Sequence, residues 1–364
     1  MKKRLFSVIL AVCMLAAIVS LAGCKQEDAV PLTGEVINVY NWGEYISNGE
    51  DGSLDVNKEF TRRTGIKVNY TTYPDNESMY AKLTSGSADY DVIIPSDYMI
   101  ARLIEEDMLE PLNMSNIPNF SLIDDQFKGL EYDPSNKYSV AYTWGTVGIF
   151  YNKTMVDEED VKDMSWDILW NEKYRGQILM FDNPRDAFGI ALLKLGYSLN
   201  TTDKAQLLEA ANLLKEQKPL VQAYVMDQIF DKMAGAEAAL APYYSGDALT
   251  MFDDNEDLGF AVPKEGTNRF VDAICIPKGA KNKELAEKYI NFLCETDIAL
   301  ANAEYIGYST PNTGALEQLD EEIKNNEIFY PGDDILSKTQ IFLKLPDDIN
   351  RYMDTLWIEI KTEN

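Results

Sequence analysis

Three aspartates in this 364-residue chain stand at the edge of a structural element or inside an apolar run. Asp186 falls where a strand expected over 176–181 gives way to a helix. Asp247 closes the run Tyr244-Ser245-Gly246-Asp247 after another expected strand. Asp272 interrupts the apolar stretch Phe270-Val271-Asp272-Ala273-Ile274-Cys275, and a buried carboxylate needs a partner. Six aromatic residues occupy comparable positions: Trp42, Tyr45, Tyr98, Tyr244, Phe270 and Tyr308. Rings alternating with carboxylates suit an organic polycation. A ring face attracts an alkylammonium group by about 0.5–2 kcal/mol, and a carboxylate fixes it through charge-assisted hydrogen bonds. At an effective dielectric near 20, an ion pair at about 4 Å gains about 4 kcal/mol. Desolvation offsets much of that gain, yet micromolar affinity needs only about 8 kcal/mol in total. Each position also has a plain structural use. Tyrosines at element ends pack half-buried, Trp42 and Tyr45 fit a core, and Asp186 fits a helix cap.

Composition narrows the chemistry further. There is no histidine, which removes Ser-His-Asp and Cys-His nucleophile systems and every histidine-containing zinc site. The net charge is −27. That acidity disfavours nucleic acid and anionic lipid as partners and favours a cationic ligand, or it serves solubility alone. Cys13, Cys24, Cys275 and Cys294 show no metal-ligand spacing. Cys275 and Cys294 lie in apolar surroundings, as buried thiols or as a disulfide.

The elements that must position these residues follow an α/β order. A strand over 36–40 runs into the loop Asn41-Trp42-Gly43-Glu44-Tyr45. Helices are expected over 54–64, from 74 to about 85, and over 100–107; strands are expected over 66–70 and 90–94. That alternation is a set of βαβ units, whose strand-end loops, carrying Trp42/Tyr45 and Ser96/Tyr98, open on one edge of a parallel sheet. Residues 138–151 read as two extended pieces meeting near Trp144 and Gly145. Gly145 and Gly148 would absorb dihedral change where the chain crosses to a second lobe, or the segment is a bent strand inside one domain. Further strands are expected over 238–243, 258–263 and 270–276, and helices over 187–195, 204–217, 282–294 and 299–306. The tail from about 315 is largely helical.

The N-terminus has the order of an export signal: basic Lys2-Lys3-Arg4, an apolar run from Leu5 to Leu21, then Leu21-Ala22-Gly23-Cys24. It resembles a bacterial lipoprotein signal cut before a lipid-modified cysteine. The mature chain would start at Cys24, tethered to a membrane by acyl chains.

Several stretches together carry a wider resemblance. They include YNWGEYI at 40–46, EFTRRTGIKVNY at 59–70, YDVIIPSDY at 90–98, YTWGTVGIFYN at 142–152, VPKEG at 262–266 and IGYSTPN at 306–312. With these the chain resembles the polyamine-binding, spermidine/putrescine type of substrate-binding protein of ABC transporters, from about Glu35 to about Tyr330. The resemblance implies a two-lobed type II periplasmic-binding-protein fold, each lobe a mainly parallel sheet flanked by helices, with the ligand cleft between. The division it implies is a signal peptide at 1–23, a tether at 24–34, a first lobe from 35–145 and 270–316, and a second from 146–269 and 317–364. The family's ligand contacts fall on Trp42, Tyr45, Ser96, Tyr98, Asp186, Tyr244, Asp247, Phe270, Asp272 and Tyr308. Asn183 stands where spermidine binders carry an acid, while Asp247 resembles a putrescine-type arrangement, so the choice of polyamine stays open. A glutamine that the family supplies from its C-terminal region has no clear match. The implied function is capture of a polyamine by hinge closure and delivery to an ABC permease, by an exported monomer without cofactor or metal. The competing readings are a same-fold receptor for another cationic molecule, a sensor, and an enzyme using Asp186 and Asp272 as an acid–base pair.

Overall fold

The computed structural model describes residues 29–86 and 89–362. The signal segment and the expected lipidation site Cys24 lie outside those residues. Val30 and Thr33, at the end of the expected tether, are docked: their amides donate to the carbonyls of Arg62 and Gly65 at 2.9 and 3.0 Å.

The first part of the chain alternates strand and helix: β1 (Val36–Trp42), α1 (Val56–Thr64), β2 (Lys67–Tyr73), α2 (Asn76–Thr84), β3 (Val92–Ile93) and α3 (Asp97–Glu105). Local chemistry sets these boundaries. Asp55 and Asp75 cap α1 and α2 by accepting from Lys58 N and Ser78 N, at 2.9 and 2.6 Å. Gly65, with φ 74°, ends α1 in the left-handed conformation. The long strand β4 (Ser139–Asn152) follows. Then come β5 (Ile178–Phe181), α4 (Pro184–Lys194), α5 (Lys204–Gln217), β6 (Val221–Val225), α6 (Gln228–Ala234), β7 (Leu240–Tyr244), α7 (Ala248–Asp254) and β8 (Leu258–Ala261). The chain returns through β9 (Thr267–Cys275), α8 (Lys283–Leu293) and α9 (Thr296–Ile306), and finishes with β10 (Thr339–Gln340) and α10 (Asp347–Thr362).

The strands join in the order β2-β1-β3-β9-β4-β7-β5-β6, with β8 on β4 and β10 on β9. β1 is parallel to β2 and β3, and β5 is parallel to β6 and β7. The middle is antiparallel: β9 runs against β3 and β4, and β4 against β7 and β8. Two hydrophobic cores result. One gathers Ile37, Val39, Phe60, Ile93, Ile100, Val140, Trp144, Val271 and Ile290; the other gathers Phe150, Trp166, Phe181, Phe188, Leu214, Leu240, Phe342 and Trp357. Tyr98 and Tyr330 pack against both.

β4 differs from the two pieces expected. It is one strand of 14 residues, with a register shift against β9 between Ala141 and Thr143. It passes from one core into the other, pairing with β9 through Thr146 and with β7 and β8 beyond it. Its glycines make room for rings. A Cβ at Gly145 would meet the Phe270 ring at 2.7 Å, and one at Gly148 would meet Phe260 at 2.3 Å. Overpacking of that kind costs about 1–3 kcal/mol. The segments β6, α6 and α7 were not expected. They are short and partly exposed, so no strong periodicity marks them. Cys275 and Cys294 are buried free thiols.

Candidate functional site

Strand-end loops place the rings. Leaving β1, Trp42 donates its indole N–H to the Ile94 carbonyl at the end of β3, at 2.8 Å. Asn41 ties the loop down, its amide donating to the Tyr45 carbonyl at 3.3 Å. Tyr308 follows Gly307, the left-handed cap of α9. Its ring lies so close on Gly246 that a Cβ there would come within 2.3 Å. Neighbouring rings then run across both cores: Trp42 to Tyr45 at 6.5 Å, Tyr45 to Tyr308 at 4.9 Å, Tyr308 to Phe270 at 6.1 Å, and Phe270 to Tyr244 at 5.4 Å. All four pairs are edge-to-face, the favoured arrangement.

Each of the three aspartates accepts a tyrosine hydroxyl. Tyr45 donates to Asp272 Oδ2 at 2.6 Å, Tyr244 to Asp186 Oδ2 at 2.9 Å, and Tyr308 to Asp247 Oδ2 at 2.9 Å. Tyr45 has one proton, and it goes to Asp272. The Thr143 hydroxyl, 2.6 Å away, therefore donates to the tyrosine oxygen. Asp272 is buried at 5 % exposure, and its Oδ1 has no hydrogen-bond partner. Burial pushes Asp186 and Asp247 up to about 7 and Asp272 up to about 6; Tyr244 and Tyr308 pull the first two back toward the charged form, and Ser96 and then Tyr45 do so for Asp272. Asp97, at 1 % exposure, is raised well above the usual carboxylate range by burial, and the nearby Asp272 adds to the shift.

These groups line one cavity of about 300 Å³. All eleven residues singled out from the sequence stand on its wall: Trp42, Tyr45, Ser96, Tyr98, Asn183, Asp186, Tyr244, Asp247, Phe270, Asp272 and Tyr308. Ser96 stands at the N-cap position of α3 without a side-chain cap bond, and its backbone forms a β-bridge to Asp272 on β9. Tyr98 is held by Glu77 and Asn76, at 3.0 and 3.1 Å. Asn183 spends its side-chain oxygen capping α4, accepting from Arg185 N and Asp186 N at 2.9 and 3.4 Å. What it has left for the cavity is an amide N–H donor, which does not suit an ammonium ion.

The wall also holds residues that sequence reading missed, among them Tyr73, Asp97, Asp227, Tyr243, Asn268 and Phe342. Asn268 had a signal: with Phe270 and Asp272 it shares one face of β9 at period two. Phe342 had none, because it arrives from the tail. Among the described residues, seven carboxylates line the cavity (Glu44, Asp75, Asp97, Asp186, Asp227, Asp247 and Asp272), and no lysine or arginine does. Among the described residues, no three acids gather as a metal ion would require.

The family model of bacterial extracellular solute-binding proteins matches residues 56–331. The chain belongs to this family. The solute-binding protein is 40 % identical over 293 residues to the spermidine/putrescine-binding periplasmic protein of Escherichia coli K12, covering 80 % of this chain and 82 % of that one. Its fold is similar to the substrate-binding protein of a spermidine/putrescine ABC transporter from Streptococcus pneumoniae, with a TM-score of 0.78 and 39 % identity over 90 % of this chain and 98 % of the other. A lipoprotein of Treponema pallidum is similar at 26 % identity and a TM-score of 0.77, over 90 % and 99 % of the two chains. The architecture is the two-lobed type II periplasmic-binding-protein fold, and as an extracellular solute-binding protein it is exported.

Proposed function

We propose that this solute-binding protein captures a polyamine of the putrescine or spermidine type and delivers it to an ABC permease. The observation that carries the reading is the cavity wall: seven carboxylates, no basic side chain, and a run of edge-to-face rings between the acids. A polyamine has that pattern in negative, with ammonium groups separated by methylenes. Each Tyr–Asp pair leaves a carboxylate oxygen for an ammonium group, and the rings take the methylenes and the flanking charge. The unpartnered Oδ1 of Asp272 marks the first anchor. Contacts with Trp42, Tyr45, Ser96, Tyr98, Phe270, Asp272 and Tyr308 come from one lobe, and those with Asp186, Tyr244 and Asp247 from the other. The two cores support lobes of 35–145 with 270–316 and of 146–269 with 317–364. Ligand bridging the two would favour the closed form, because only that form makes both sets of contacts, and the permease would read the closed surface. The protein would work as a monomer held to the membrane through lipid at Cys24, a placement supported by the Leu21-Ala22-Gly23-Cys24 run and by the Treponema pallidum lipoprotein.

Calorimetric titration of the mature protein with putrescine, spermidine and spermine tests the reading. Saturable binding of at least one is expected; the absence of heat with all three overturns it.

A further inference from the structure

We propose that Phe342 sets the length of ligand the cavity accepts, and that Arg185 is its positioning residue; the inference rests on the polyamine reading above. Phe342 is 4 % exposed and belongs to the C-terminal segment, yet it lines the cavity. It meets the ring of Tyr98 edge-to-face across the cleft, at 6.4 Å and 87°. Two residues on, Lys344 forms an ion pair with Glu105 at the far end of α3, the helix that begins beside Tyr98. The tail thus touches α3 at two points two turns apart. It crosses the cleft there, and the Phe342–Tyr98 contact closes that side of the cavity.

The segment is fixed on the second lobe by a dense set of bonds. β10 pairs in parallel with Thr267 and Asn268. Asn200 clamps the backbone beside Phe342, donating to the Ile341 carbonyl at 2.8 Å and accepting from Leu343 N at 2.8 Å. Arg185 organises this clamp. It is 7 % exposed, and its Nη2 donates to Asn200 Oδ1 at 2.8 Å and to the Leu343 carbonyl at 3.0 Å. Its guanidinium lies 4.5 Å from the centre of the Phe342 ring. Gly189 on α4 leaves the space: a Cβ there would stand 3.2 Å from the same ring.

Asp97, Asp186 and Glu77 act on the Arg185 charge from beyond ion-pair contact, which offsets only part of the cost of burying it, so its presence calls for a reason. Here it supplies three. It donates to the tail backbone, it occupies one face of the Phe342 ring, and its positive charge disfavours an ammonium ion at that wall. The ring is thereby an apolar stop. Ammonium groups are left to the Asp272, Asp186 and Asp247 positions, and a chain long enough to push past Tyr98 meets a phenyl group that cannot move.

The test is the affinity ranking over α,ω-diamines of increasing length, from putrescine through cadaverine to longer homologues, measured by calorimetry on the mature protein. In the wild type, affinity should pass through a maximum and fall for the longest members. Phe342→Ala should move that maximum to longer diamines and raise the longest relative to putrescine by about tenfold, the scale of one methylene in an apolar pocket. Arg185→Met should move the ranking in the same direction without touching ligand, and Phe342→Leu should restore most of the wild-type order. A purely structural role would weaken all diamines alike and leave the ranking unchanged. Circular dichroism and melting confirm folding, and Phe342→Ala carries the test if Arg185→Met does not fold. An unchanged ranking in a folded Phe342→Ala overturns the inference and leaves the polyamine reading standing. Failure of the wild type to bind any diamine overturns both.

Discussion

Two tyrosine–aspartate pairs in the cavity look alike and are built differently. Tyr45 belongs to one hydrophobic core, and Asp272 lies between Val271 and Ala273 of the same core. Asp272 is buried on β9, Thr143 on β4 completes the bond, and Tyr142 donates to the Tyr45 carbonyl at 2.9 Å. Tyr308 packs against that core, while Asp247 directly precedes Ala248 of the other; both are half-buried and meet only where Gly307 and Gly246 let two backbones approach. The first pair lies within one core; the second spans the two. A binding site that closes needs both kinds, one to hold the ligand on arrival and one to make its presence felt by the other lobe.

The sharpest way to break this comparison is to remove the charge from each aspartate. Asp272→Asn should cost about 3 kcal/mol, or about a hundredfold in affinity, because an ammonium ion would then be buried without its counter-charge. Asp247→Asn, in a half-buried position, should cost about tenfold. A titration in which Asp247→Asn is the worse of the two would mean that the pair spanning the two cores, and not the pair within one, is the main anchor.

Proton competition comes next in size. Asp186 and Asp247 stand at about 7 and Asp272 at about 6, all above the ordinary carboxylate value. An ammonium ligand requires the ionised forms, so polyamine affinity should fall as pH drops from 8 to 6, by about tenfold. Stability of the protein measured without ligand runs the other way. A carboxyl raised in the folded state contributes stability that is present below its unfolded pKa and lost as pH rises through about 7. From these groups, the melting temperature should therefore fall between pH 5 and pH 8 while the ligand-induced gain grows. A ligand-induced gain that is the same at both pH values would remove the proton linkage.

The smallest effect separates the pairs most cleanly. Tyr45→Phe takes the donor from a buried carboxylate inside one core, so the melting temperature should drop, by about 1–3 kcal/mol of stability. Tyr308→Phe removes a bond between the two cores. It should leave the melting temperature almost unchanged and weaken binding by about fivefold, equivalent to about 1 kcal/mol. Equal losses of melting temperature in the two variants would show that the distinction between the pair within one core and the pair spanning two has no bearing on stability.

The parts of the molecule differ in how far they could be read from sequence. The βαβ alternation of the first lobe was legible because its helices carry side-chain caps and glycine stops, and its strands carry β-branched runs. Of the eleven wall residues, the six rings and three aspartates stood out at element ends or inside an apolar run, Ser96 stood out in a strand-end loop, and Asn183 was reached only through the family resemblance. β4 was misread as two pieces: glycine in a sequence signals a bend, and nothing local reveals that Phe270 and Phe260 fill the space left by the missing Cβ atoms. Phe342 and Arg185 were invisible for a related reason. A phenylalanine in an irregular tail and an arginine at the start of a helix have no pattern until the tail is laid across the cleft.

The sequence by itself determined the elements, the acid-rich and histidine-free chemistry, and the family motifs, because these depend on residue type and near-neighbour spacing. Tertiary structure alone decided which hydroxyl serves which carboxylate, that no basic side chain enters the cavity, and that the last wall comes from the tail. Each of those depends on contacts between residues far apart in the chain, such as Tyr45 with Asp272 and Phe342 with Tyr98, and such contacts exist only once β9 has paired with β4 and the tail has packed across the cleft.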